Sequence, residues 1–131
     1  RGHIRGKDGI FAASLLIEMI SVTGKSLSSL LDEINQQFGY FYTHEGDFKF
    51  EPEDKPRLTK KLFEDKEIPP YDFEIDHISY MDGLKIYFKN GGWILARFSG
   101  TEPLLRIFSE MSSQVDADDV VGTMKRFLGV K

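Results

Sequence analysis

The chain has 131 residues, of which 40% are hydrophobic and 29% are charged, and its formal net charge at pH 7 is −4. This composition is typical of a globular protein and suffices for a domain with its own core. The negative net charge argues against generic nucleic-acid binding, which usually shows a basic face. Because the chain contains no cysteine, disulfides and thiolate metal sites are excluded, and we expect a cytoplasmic location, with which this composition is compatible.

The first third of the chain predicts two helices. The first, over 8–22, is apolar almost all round, which predicts burial on more than one side. Its longest apolar run is interrupted by Ser14 and Glu18 and is too short to span a bilayer, so we expect no membrane partner. The second helix, over 28–38, keeps one apolar face, and Gly39 supplies its stop.

From Tyr40 onward the pattern changes to that of a self-contained α+β unit. A strand near 40–43, with 48–51 as a candidate continuation, leads to a helix near 56–64, where Pro56 suits the first turn. Asp116 is expected to cap a final helix that has one apolar stripe. The segments between these helices predict four strands, over 73–80, 84–89, 93–98 and 104–110, with Asp82-Gly83 and Asn90-Gly91 as hairpin turns. Such short connections predict an antiparallel meander.

Segment 97–106 gathers the groups that a phosphate monoester dianion requires. Arg97 and Arg106 lie in β-prone runs on either side of a turn, which predicts that they occupy adjoining strands. Arginine matches phosphate bidentately, and the hydroxyls of Ser99 and Thr101 add donors without charge. Gly100 allows the backbone N–H groups to turn inward, as in an anion-binding nest. The alternative is an ordinary turn with two solvated arginines, but the number of matching groups favours an anion cradle.

The pattern Arg-x-Ser-Gly-Thr-Glu-Pro-x-x-Arg resembles the phosphate-binding loop in the last domain of the α-D-phosphohexomutases, the phosphoglucomutase and phosphomannomutase superfamily. The segment His-Ile-Arg-Gly-Lys-Asp-Gly at 3–9 resembles the one that closes the third domain of phosphoglucomutase-type members. The resemblance implies that 1–39 are helices remaining from a truncated α/β third domain. It implies that 40–131 form the last domain, a TATA-binding-protein-like sheet with helices on one face. The start at Arg1, without an initiator methionine, agrees with a fragment.

The resemblance also implies a function for the parent protein. Such mutases move a phosphoryl group between C1 and C6 of a hexose, through a phosphoserine and a bisphosphate intermediate. The phosphoserine and a magnesium ion belong to the first two domains, so we expect no catalytic residue and no metal in this fragment. By itself the fragment is then inactive, and it packs against the missing upstream domains. A free-standing module that binds a phosphorylated ligand without catalysis is the alternative, and the sugar is not determined.

Residue by residue, the resemblance assigns the contact with the non-transferred phosphate to the predicted cradle, Arg97, Ser99, Gly100, Thr101 and Arg106. Glu102-Pro103 is expected to shape the turn, because a carboxylate beside a dianion repels it. Phe98 stands where many family members have proline, which changes loop stiffness but removes no donor. Second-rank candidates for substrate contact are Lys7, Arg5 and His3, and for these three a solvated polar loop is the alternative reading.

Other clusters of polar residues have simpler interpretations. The acids Asp72, Glu74 and Asp76, with His77 adjacent, are interpreted as the wet face of an edge strand. The three histidines have no metal-ligand spacing, so no histidine metal site is expected. The basic stretch on the helix near 56–64 is interpreted as a solvated face; its members are Lys55, Arg57, Lys60 and Lys61.

Overall fold

A five-stranded antiparallel sheet organises the larger part of the chain. The computed structural model describes residues 6–130 and divides the chain into two units, Arg1–Tyr40 and Phe41–Lys131. The strands, all in the second unit, are β1 (Tyr42–Lys49), β2 (Ile75–Ser79), β3 (Leu84–Phe88), β4 (Trp93–Phe98) and β5 (Leu104–Met111). The α+β fold class is therefore confirmed, whereas the TATA-binding-protein-like label stays a prediction.

The first unit consists of two helices. Helix α1 spans Gly9–Thr23 and begins at a cap in which the Asp8 carboxylate accepts a hydrogen bond from the Phe11 N–H, at 2.9 Å. Helix α2 spans Leu27–Phe38, and the hydroxyl of Ser26 caps it in the same way. Among the described residues, no single helix is long and apolar enough to cross a membrane. Of the described helices, only the pair α1 and α2 together has the length and the apolar composition of a span, and the two helices are bent by 85° at their junction.

The predicted burial of α1 is not found in this chain. None of its residues is buried, and Ile10 and Ile17 are 84% and 64% exposed. We predicted that α1 is buried on more than one side and that part of it lacks a partner in a free fragment; the prediction is wrong in extent, since no residue of α1 is buried. The physical reason is that the apolar surface runs almost all round the helix, and the described residues do not cover it.

The sheet has the strand order β1-β5-β4-β3-β2, with every neighbouring pair antiparallel. Strands β2 to β5 form the predicted meander, and β1 closes the sheet beside β5. The predicted interruption between 43 and 48 is wrong, because β1 pairs continuously with β5 from Tyr42↔Met111 to Lys49↔Leu104. Pairing with β5 keeps Gly46 and Asp47 extended, although both residue types are depleted in strands.

The helices of the second unit lie against one face of the sheet. The predicted helix over 56–64 is instead a short 3₁₀ turn (Pro52–Asp54), helix α3 (Lys55–Thr59) and a π-helical turn (Lys60–Glu64), which bury Leu58 and Leu62 completely. Helix α4 spans Gln114–Leu128. Its cap is Ser113 and not the predicted Asp116, since the Ser113 hydroxyl accepts a hydrogen bond from the Asp116 N–H at 3.1 Å.

Alternation along the strands separates the core from the opposite face of the sheet. In β4 and β5 the buried side chains include Ile94, Ala96, Leu105 and Ile107, and they pack with Val120, Val121 and Met124 of α4 in one cluster. The buried hydroxyl of Ser109 donates to the carbonyl of Ala117 at 3.0 Å and ties α4 to β5. The intervening residues of both strands lie on the opposite face, which carries no helix of the second unit and is called the helix-free face below.

Candidate anion-binding site

The turn between β4 and β5 is held by backbone hydrogen bonds at its base. The N–H of Ser99 donates to the carbonyl of Leu104 at 2.8 Å, and the N–H of Leu104 donates to the carbonyl of Glu102 at 2.8 Å. The N–H of Phe50, just after β1, donates to the carbonyl of Pro103 at 3.3 Å. These bonds hold the loop 99–103 at one end of the sheet and leave Gly100 and Thr101 exposed.

Arg97 and Arg106 are paired directly across β4 and β5. Arg97 follows the buried Ala96 in β4, and Arg106 precedes the buried Ile107 in β5. Because neighbouring side chains of a strand point to opposite faces, both arginine side chains lie on the helix-free face. Directly opposed residues of antiparallel strands have Cβ atoms about 5 Å apart. The structure therefore places the two predicted arginines at opposed positions on one face of the sheet, next to the loop that carries the two hydroxyls.

Each of these arginines has a carboxylate on its outer side. Arg97 donates from Nη1 to Oδ2 of Asp82 at 2.7 Å, and Asp82 lies in the turn between β2 and β3. Arg106 is paired in the β1–β5 register with Asp47, and its Nε lies 3.5 Å from Oδ1 of that residue. This second contact is an ion pair without a hydrogen bond, because the buried Arg106 Nε has no hydrogen-bond partner in the part of the chain described.

The loop itself lines a shallow depression of about 250 Å³. Its walls include Ser99, Gly100 and Thr101 from the loop and Lys55 from the start of α3. The Lys55 ammonium lies 5.7 Å from the centre of the Phe98 ring, and no carboxylate within residues 6–130 forms an ion pair with it. Interpreting this lysine as part of a solvated helix face therefore missed its place beside the loop.

The five predicted phosphate contacts are thus divided between two surfaces. Ser99, Gly100 and Thr101 line the depression with Lys55, whereas Arg106 lines a separate depression of about 480 Å³ on the helix-free face, together with Asp47. Arg97 and Arg106 are neighbours in the strand register, but each guanidinium group lies close to a carboxylate on its outer side instead of lining the loop depression. Closing a complete cradle around one phosphate would require the arginine side chains to reach toward the loop.

Asp47, Asp82 and Lys55 are the residues that sequence reasoning missed at this site. The signal for Asp47 was the register of β1 against β5, and that register could not be counted because β1 was predicted to be interrupted. Asp82 was recognised only as a turn residue. Lys55 lies beside the loop because the chain folds back between β1 and α3. The periodicity of hydrophobic residues does not predict the direction of such a connection.

The structure does not test the second-rank candidates for substrate contact. Lys7 is exposed and lies in the first unit, and His3 and Arg5 lie outside the described residues. The acids Asp72, Glu74 and Asp76 are exposed and β2 is an edge strand, as interpreted, but β2 begins only at Ile75 and its register shifts before His77. Over residues 6–130, no group of histidine, aspartate and glutamate side chains could hold a metal ion.

Comparison with known proteins identifies the family to which this domain is similar. The family model described as "Phosphoglucomutase/phosphomannomutase, C-terminal domain" matches residues 49–126, which include the whole loop and both arginines. A phosphoglucomutase/phosphomannomutase of Thermococcus kodakarensis is 34% identical over 116 residues, 87% of this chain and 23% of the relative.

Two further relatives are named as other mutases. A probable phosphoglucosamine mutase of Methanococcoides burtonii is 30% identical, over 83% of this chain and 22% of the relative. A probable phosphomannomutase of Haemophilus influenzae is 29% identical, over 90% of this chain and 27% of the relative. The chain therefore spans about a quarter of the length of the curated relatives it matches. With a family model covering more than half of it, the chain belongs to the phosphoglucomutase/phosphomannomutase family and contains that family's C-terminal domain.

Proposed function

We propose that this domain anchors the non-transferred phosphate of a hexose phosphate in a parent phosphohexomutase. The observation that carries the proposal is the direct pairing of Arg97 with Arg106 beside a loop that bears two hydroxyls. A phosphate monoester is largely a dianion at neutral pH, since its second pKa is about 6. Two guanidinium groups balance that charge, and Ser99 and Thr101 supply further donors to the phosphate oxygens.

The anchor would contribute to catalysis by positioning. Phosphoryl transfer requires little from a protein beyond orientation and charge stabilisation. Holding the remote phosphate turns binding energy into alignment of the reacting end of the sugar. In a mutase whose bisphosphate intermediate turns round, the anchor must accept a phosphate at either end of the hexose. A loop that contacts only phosphate is suited to that task, and it does not select glucose, mannose or another hexose.

The remaining chemistry is proposed to lie upstream of this chain. In the parent, magnesium would supply charge stabilisation at the transferring phosphoryl group, but the described residues offer no ligand set for it. From the family resemblance, we assign the metal and the phosphoserine to the first two domains and expect the fragment alone to be inactive. The exposed apolar surface of α1 would pack against those domains, since Ile10 and Ile17 are solvated here. The cytoplasmic location stays a prediction.

Titration with glucose 6-phosphate and with inorganic phosphate, followed by backbone NMR of this chain, tests the anchor. We expect millimolar-range binding and shifts concentrated in 97–106 for both ligands, with no response to glucose. Shifts with glucose 6-phosphate and with inorganic phosphate, but not with glucose, would mean that the site recognises the phosphate group. Absence of any shift in 97–106 at millimolar phosphate would refute a preformed anchor.

The alternative of a free-standing binding module is tested in the parent reading frame. A mutase parent must contain an upstream serine loop that can be phosphorylated and an acidic metal-binding loop. We expect both, because the relatives are about four times as long as this chain. A parent that binds glucose 6-phosphate through Arg97 but lacks both loops would favour the module.

A further inference from the structure

A row of four charged side chains crosses the helix-free face of the sheet. Reading from β1 to the β2–β3 turn, it runs Asp47, Arg106, Arg97 and Asp82. The two positive charges are in the middle and the two negative charges are at the ends. Two guanidinium groups on directly opposed positions repel each other, so the outer carboxylates stabilise the pair before any ligand arrives.

The contact between Asp82 and Arg97 is the better defined of the two. It is a charge-assisted hydrogen bond at 2.7 Å, whereas the Asp47–Arg106 contact at 3.5 Å lacks hydrogen-bond geometry. Its donor is one of the terminal nitrogens of Arg97, and a guanidinium group has five N–H donors. After this bond is made, Arg97 keeps enough donors for a bidentate contact with phosphate.

Gly83 brings the β2–β3 turn close enough for this contact. It has φ of +103°, and a Cβ atom at this position would lie 2.6 Å from the carbonyl oxygen of Ala96 and 2.6 Å from Cβ of Arg97. Only glycine fits such an approach without a shift of the backbone. The Asp82-Gly83 dipeptide is therefore packed directly on the strand position that carries Arg97.

We propose that Asp82 is a positioning residue of the phosphate anchor: seated by Gly83, it orients the Arg97 guanidinium for phosphate. This inference rests on the proposed function and deepens it. An arginine side chain loses substantial rotamer entropy when it is fixed, and a restraint that already exists in the free protein reduces that loss on binding. Asp82 touches Arg97 and is not assigned a contact with the substrate.

Competition between Asp82 and phosphate for the same guanidinium is the opposing interpretation. The Asp82 side chain is 77% exposed, so water and salt screen its repulsion of a nearby dianion. The hydrogen bond to Asp82 uses one N–H donor of Arg97 and does not involve the other four. Both observations favour orientation over competition, and the two interpretations predict opposite changes in affinity when the carboxylate is removed.

The test measures the Kd of inorganic phosphate for this chain and its variants by NMR titration. Asp82→Ala should weaken binding about threefold to fivefold, because it removes the hydrogen bond that orients Arg97. Asp82→Asn keeps an oxygen that can accept the hydrogen bond from Arg97, so it should retain most of the wild-type affinity. If only the charge of Asp82 mattered, Asp82→Asn and Asp82→Ala would have the same effect. Asp76→Ala, an exposed acid that contacts His77 instead of an arginine, controls for the change of net charge.

A second measurement follows the Arg97 side chain without ligand. The order parameter of its Nε–Hε bond should fall in Asp82→Ala and stay near the wild-type value in Asp82→Asn. Unchanged or tighter phosphate binding in Asp82→Ala, or an unchanged order parameter, would overturn the inference while leaving the anchor intact. If the unsubstituted chain bound no phosphate, the anchor itself would fail and this inference with it.

Discussion

Arg97 and Arg106 face each other across β4 and β5, so two positively charged residues occupy opposed positions on one face of the sheet. Such a pair destabilises the folded chain unless negative charge is near, and Asp82 and Asp47 provide it. This arrangement supports the proposal that the pair binds an anion. The carboxylates that balance it in the free protein also determine how it is presented.

Replacing either arginine should lower activity while leaving the stability of the fold almost unchanged. In the parent enzyme, Arg97→Ala or Arg106→Ala should lower kcat/KM by at least tenfold, because a charge-assisted contact with phosphate contributes about 1.5–3 kcal/mol. Stability should change by less than about 1 kcal/mol, since both ion pairs are partly exposed. Steady-state kinetics and thermal unfolding measure the two effects. Unchanged kinetics in either variant would remove that arginine from the site.

Lys55 should contribute to the same anion affinity from the other side of the loop. Lys55→Gln should weaken binding of inorganic phosphate about twofold to fivefold, since it removes a positive charge from the wall of the loop depression. Lys125→Gln is the matched control, because its ammonium lies at a similar distance, 5.3 Å, from the Phe48 ring but does not line that depression. Equal effects of the two substitutions on the Kd would argue against a specific role for Lys55.

The close approach at Gly83 should appear as a loss of stability. Gly83→Ala places a Cβ atom 2.6 Å from the Ala96 carbonyl in a backbone with φ of +103°, so we expect a loss of about 2–3 kcal/mol in the free energy of unfolding. Gly91→Ala has a similar φ of +88° but no atom within 4 Å of the added Cβ, so it should lose only about 1 kcal/mol. Urea unfolding of both variants isolates the steric part, and equal losses would contradict the close packing.

Tyr71 should make the folded state sensitive to alkali. Burial, with a smaller contribution from the negative charge of Asp119, raises the pKa of Tyr71 above its ordinary value of about 10. Unfolded Tyr71 then loses its proton near pH 10 while the folded residue keeps it. The contribution of Tyr71 to the free energy of unfolding is therefore fully present below pH 10, and it decreases as the pH rises above 10.

The variant Tyr71→Phe tests this assignment. The buried hydroxyl has no hydrogen-bond partner among the described residues, so its removal should change stability at pH 7 by less than about 1 kcal/mol. Urea unfolding between pH 8 and pH 11 should show a shallower loss of stability in Tyr71→Phe than in the unsubstituted chain. Parallel pH profiles would mean that Tyr71 is not the titrating group.

Much of the second unit was predictable because its signals are local. The turns at Asp82-Gly83 and Asn90-Gly91 and the strands β4 and β5 were predicted correctly. Turn residues and β-prone runs are read from neighbouring residues and do not depend on distant contacts. The cap of α4 was misplaced because Ser113 and Asp116 are both good capping residues three positions apart. Only the hydrogen bond between them shows which residue is the cap.

The amino-acid sequence by itself determined the chemistry of the loop and the family to which the chain belongs, since residue types and their spacing are written along the chain. Tertiary structure alone decided which charges meet. The register of β1 against β5 brings Asp47 to Arg106, the packing of Gly83 on β4 brings Asp82 to Arg97, and the start of α3 brings Lys55 to the loop. Electrostatic contacts depend on distances of a few ångströms between residues far apart in sequence, and only the folded backbone sets those distances.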